Sequence, residues 1–168
     1  MDTRTVVLER ETRLDRPADE VWARVTTPTG INHELGPWLR MTIPGGWNGA
    51  SLADVEAGAR LGRSWVLLAA VMPIDYDDLG IDAIGDRYFR ERSTMATARL
   101  WQHERWVERD EDDPDGACLV RDRIEYVPRR WLSAIPAAAR AHQAILTTVF
   151  RHRHRRLVAW SAATTSAS

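Results

Sequence analysis

Between residues 5 and 15 the chain alternates: Val6, Leu8, Thr12 and Leu14 fall on one face, and Glu9, Glu11 and Arg13 on the other. A period of two predicts a half-buried strand. Pro17 then stands where a first helical turn tolerates proline, Asp19 and Glu20 suit a helix N-terminus, and Val21, Trp22 and Val25 supply an apolar stripe. Pro28 and Gly30 punctuate that helix, and a second short helix is expected over about 31–35, before Gly36-Pro37. Residues 44–62 hold five glycines and little periodicity, which reads as a long loop with a short turn near 52–55. Residues 63–72 are apolar on both faces and read as one well-covered strand, followed by a turn-rich connection over 73–78. Short strands are expected at about 81–84 and 87–93, split by Gly85-Asp86. Longer ones follow at about 98–108 and 117–127, around the solvated loop 109–116. Over 136–160 the period becomes helical, with Ile145, Leu146, Val149, Phe150, Leu157 and Trp160 along one side, and the tail 161–168 reads as frayed.

Strands gathered in one run, with helices at either end, indicate an α+β domain. The 168 residues suit a single domain over 1–160 followed by the tail 161–168. That length buries a core without disulfides, and the single cysteine, Cys118, has no internal partner. An antiparallel sheet must cover one face, and only the terminal helix is long enough to do so. A curved sheet gripping a helix leaves a space of the kind small molecules occupy.

The order of elements resembles the SRPBCC superfamily, the START-like or helix-grip fold, over nearly the whole chain. The resemblance is carried by Arg13-Leu14-Asp15-Arg16-Pro17-Ala18-Asp19-Glu20-Val21-Trp22, by the strand pair Trp101–Arg105 and Val120–Pro128, and by the ending Phe150–Leu157. It implies a curved antiparallel sheet wrapped around a long C-terminal helix, with two short helices after the first strand. It also implies binding or transport of a small hydrophobic or amphipathic molecule such as a lipid or polyketide, or a cyclase/dehydratase acting on one. Many bacterial single-domain members carry a second histidine where this chain has Arg105.

Composition narrows the chemistry. All 23 basic residues are arginine, which excludes Schiff-base chemistry, pyridoxal-phosphate attachment and a phosphate-loop lysine. His33-Glu34 opens like a zinc-protease helix but meets Pro37, and His152 and His154 lie two apart on a helix. There is no nucleophile elbow and no dinucleotide glycine trio, so no metal or cofactor is expected. The start lacks the layout of a secretion signal, and the longest apolar run, Trp65 to Ile74, is ten residues and contains Pro73. A cytoplasmic location is therefore expected.

On the last strand Cys118, Val120, Asp122, Ile124 and Tyr126 share a face that is apolar except for Asp122. A carboxylate turned inward needs a partner, and His103 or Arg105 on the neighbouring strand can supply it. The opposite face of that neighbour, Gln102, Glu104 and Trp106, stays open as the inner one. The patch reads either as a structural ion pair or as an acid/base site using His103, Asp122 and Tyr126. The expected cavity lies under Leu146, Val149 and Phe150 and above Trp65 or Val66, Trp101 and Ile124. Trp38 is a further candidate, His103, Arg105 or Asp122 are the polar minority, and Asp75 to Asp78 can rim the mouth.

Residues 1–126 carry a formal charge of −8 and residues 127–168 carry +7, with six consecutive basic residues from Arg151 to Arg156. No DNA partner is expected. A third reading docks the basic helix on RNA or an anionic membrane; the plainer one lays it beside the acidic sheet.

Overall fold

The computed structural model describes residues 5–49 and 51–165. The elements run β1 (Val6–Leu14), α1 (Ala18–Val25), α2 (Pro28–Leu35), β2 (Leu39–Met41), a 3-10 turn (Leu52–Asp54), β3 (Arg60–Leu68) and β4 (Met72–Gly85). They continue with β5 (Tyr88–Met95), β6 (Ala98–Arg109), β7 (Cys118–Pro128), α3 (Arg130–Ser133) and α4 (Pro136–Thr165). All the strands join one antiparallel sheet in the order β1-β7-β6-β5-β4-β3-β2. Register shifts at Arg60/Gly62, Val66/Leu67, Ile81/Ala83 and Ala98/Leu100 bend the strands, and the sheet curls into a half-barrel around α4. Gly62, at one of these bulges, has φ +94°, a conformation costly for any residue with a Cβ.

The grip is apolar at its ends and polar in the middle. Leu157 of α4 packs with Leu14, Val21, Val25, Val107 and Val120, closing the sheet under α1. Arg16 and Arg24 both lie over the Trp160 ring, at 5.2 and 4.5 Å from its centre. Phe150 packs instead with Trp101, Ile124 and Tyr126. No helix among the described residues is long and apolar enough to cross a membrane.

Four local readings of the sequence change. The apolar run 65–74 is a hairpin rather than one strand: Ala69 and Ala70, with φ of 50° and 63°, turn β3 into β4. Residues 73–78 accordingly belong to β4 and are no loose connection; Pro73 is tolerated because β4 there extends past the end of β5. Pro28 begins α2, as first-turn proline does, with the Thr27 hydroxyl accepting from Gly30 N at 3.0 Å. At the other end α4 continues through Thr165, and Ser161 is buried; residues 166–168 lie outside the described residues.

Candidate functional site

Asp122 projects from the centre of β7 into the space under α4 and is fully buried. Its Oδ1 accepts from Arg105 Nε at 2.7 Å and faces His103 Nε2 at 2.9 Å. Its Oδ2 accepts from Arg105 Nη2 at 2.7 Å and faces His154 Nε2 at 2.9 Å. The same Arg105 guanidinium, also fully buried, reaches Glu34 on α2 through Nη1 and Nη2 at 2.8 and 3.0 Å. Arg153 of α4 closes the other side of Glu34 at 2.9 Å. Gly30 lets α2 start tight against the end of α1, since a Cβ there would stand 2.0 Å from the Arg24 carbonyl oxygen.

The charges answer one another. Burial pushes the Asp122 carboxyl up, but Arg105 and then His103 outweigh it and hold the group well below its ordinary value. Burial likewise works against Glu34, and Arg105 and Arg153 hold it low. Burial would lower His103; the Asp122 carboxylate overrides it and the imidazole is raised.

Beside this network lies a cavity of about 260 Å³ between the sheet and the first half of α4. Val66, Trp101, Leu146, Val149 and Phe150 form much of its apolar wall, while Asp75, Asp77, Glu91, His103, His142 and Arg153 supply polar groups. His103 sits edge-on between Phe89 and Phe150, with ring centres 5.3 Å away in each case, so its ring is clamped by packing as well as by Asp122.

Of the residues expected at the cavity, Trp101, His103, Leu146, Val149 and Phe150 line it together. Arg105, Asp122 and Ile124 are turned the same way but lie behind the lining, in the network and the core. Tyr126 is also inward and buried, packed on Trp101 and His142, two of the lining residues. Trp65 is 43% exposed and packs on Tyr76, leaving the lining position to Val66. Trp38 is 65% exposed, away from the lining. Inward-facing Trp101, His103, Arg105 and Val107 settle which side of β6 meets the helix.

Sequence reasoning missed Glu34, Glu91 and Arg153. Glu34 is three residues from Ile31 on a helix whose buried side also holds Leu35, a pattern that marks it as inward but gives no partner. The basic run 151–156 is not a surface patch: Arg153 and His154 turn inward, and His152 and Arg156 reach the Gly36 and His33 carbonyl oxygens.

A curled antiparallel sheet closed on a long C-terminal helix, with a lined cavity between them, is the START-like helix-grip fold of the SRPBCC superfamily. The chain belongs to the family described as Domain of unknown function (DUF8410), whose profile matches residues 12–160. No curated protein sequence matches it significantly. Among solved structures, the chain is similar to the Zhui aromatase/cyclase from Streptomyces sp. R1128, at TM-score 0.68 and 13% identity over 95% of this chain and 94% of that one. It is also similar to a point mutant of norcoclaurine synthase from Thalictrum flavum in complex with a transition-state analogue, at TM-score 0.65 and 13% identity over 98% and 99%. A START superfamily protein from Mycobacterium smegmatis matches at TM-score 0.56 and 8% identity over 90% and 98%. At these identities the likeness is one of fold.

Proposed function

We propose that the chain is a cytoplasmic binding protein that carries a small, largely apolar molecule in the cavity between the sheet and α4. The observation that carries this reading is the cavity itself, whose apolar wall is built from both sheet and helix. Its volume, about 260 Å³, lies just under the usual range of small-molecule pockets, roughly 300–1,000 Å³. That suits one or two rings better than a long acyl chain, and so favours a compact ligand over a membrane lipid.

A second reading is a cyclase- or dehydratase-like enzyme. It is favoured by the one titratable ring held in the cavity wall with a carboxylate behind it: Asp122 orients His103 Nε2, leaving Nδ1 toward Glu91 at 3.7 Å. In this reading His103 would exchange protons with the ligand, Asp122 would fix its tautomer, and Tyr126 would act only through Trp101 and His142.

A neutral dialkylaminonaphthalene dye tests the site. Its fluorescence should rise on binding, be displaced by small aromatic ketones and not by long-chain fatty acids, and be lost in Leu146→Trp, which fills the cavity. Dye binding that survives Leu146→Trp, or no binding at all, contradicts the cavity reading. Mass spectrometry of the displacing ketone separates the two readings, since a carrier returns it unchanged.

A further inference from the structure

The acidic end of the cavity is short of partners. Most cations of the buried network are turned to other groups: Arg105 bridges Asp122 and Glu34, Arg153 holds Glu34, His154 Nε2 faces Asp122, and His103, whose Nε2 faces Asp122, turns only Nδ1 to this end. Glu91 has the Ser93 hydroxyl at 2.9 Å and His103 Nδ1 at 3.7 Å. Asp77 is 3% exposed and lines the cavity with Glu91. Its Oδ1 is buried without any partner among the described residues. The other polar groups facing this end are Asp75 on the same strand, His103 on β6, and His142 and Arg153 on α4. Asp75 is satisfied, accepting from the Tyr76 and Ala96 backbone N–H groups and the Thr97 hydroxyl. His142 Nδ1, like Asp77 Oδ1, is buried and unpaired.

A buried carboxyl without a cation keeps its proton. Burial, and then the neighbouring Glu91, push Asp77 well up from its ordinary value. With that proton lying between the two carboxyls, Asp77 Oδ1 keeps an unmet lone pair beside the cavity that Asp77 lines. A hydrocarbon would leave this oxygen unpaired, and a carboxylic acid would bring a third acidic group against two.

We propose that the cavity takes an amphipathic amine, its apolar body against Trp101, Leu146 and Val149 and its ammonium group donating to Asp77 Oδ1 and Glu91. This rests on the reading of the cavity as a ligand site and names the class of ligand. On binding, the proton between the carboxyls leaves to solvent, both carboxyls become carboxylates, and the ammonium keeps its three N–H bonds.

Isothermal titration of the full chain at neutral pH, in two buffers of different ionisation enthalpy, compares phenethylamine with its neutral isostere propylbenzene. The amine should bind about tenfold more tightly, or better, and release about one proton, whereas propylbenzene releases none. Asp77→Asn, which keeps the shape and removes the acid, should erase the proton release and shrink the advantage of the amine over propylbenzene. Equal binding of the two wild-type ligands, or amine binding without proton release, overturns the amine assignment and leaves the cavity reading standing. Binding of neither at millimolar concentration overturns both. The wild-type titrations decide the matter even where the variant fails to fold.

Discussion

A fully buried carboxylate is tolerable only when its lone pairs are met, and Asp122 is met by two nitrogens of Arg105 and by one each of His103 and His154. Asp122→Asn leaves Arg105 facing an amide that cannot answer its charge. A loss of about 3 kcal/mol is expected in urea unfolding at neutral pH, and a loss below about 0.5 kcal/mol would contradict the network. The pH dependence follows from the direction of each shift. Asp122 and Glu34 are held low, so the stability they add is present above about pH 4 and is lost as pH falls through their native values. His103 is raised, so its share is complete below about pH 6.5 and fades as pH rises through its native value. Asp122→Asn should therefore flatten the acid side of the stability profile. The inward turn of Asp122 and its bond to Arg105 and His103 are legible in the alternation of β6 and β7, since strand neighbours lie at fixed register. Glu34 and Arg153 are not, because they reach Arg105 from two helices whose approach depends on packing.

At the scale of elements, the misread stretch is the β3–β4 hairpin. Positive φ at two successive turn residues is usually marked by asparagine or glycine, and Ala69-Ala70 gives no such sign, so the apolar run reads as continuous. The helix α4, by contrast, declares itself by its long period, yet its two halves do different work. Leu157 is fully buried in a packed cluster, whereas Leu146 is only partly buried and borders the cavity. Leu157→Ala should cost about 3 kcal/mol, as large-to-small changes in filled cores do. Leu146→Ala should cost under about 1 kcal/mol, because few atoms lose partners where space is already open. Equal costs in thermal unfolding would mean that the helix is gripped evenly and the cavity is closed.

Across the whole molecule, the opposition between an acidic first part and a basic end is met in part within the fold. Arg153 neutralises Glu34, Arg129 caps the Met95 carbonyl oxygen, and His154 faces Asp122. What the fold leaves open is the space beneath the first half of α4. Its existence follows from a bent sheet and a straight helix, and its acidic end follows from Asp77 and Glu91, which sequence periodicity alone does not bring together. The indole N–H signals of the tryptophans report on this space directly, because Trp101 lines it, Trp106 lies on the opposite face of the sheet, and Trp131 is exposed on α3. In a nitrogen-labelled protein titrated with phenethylamine and with propylbenzene, the account predicts a saturable shift of the Trp101 indole while those of Trp106 and Trp131 stay still. Shifts confined to Trp106 or Trp131, or no shift with either ligand, would contradict it.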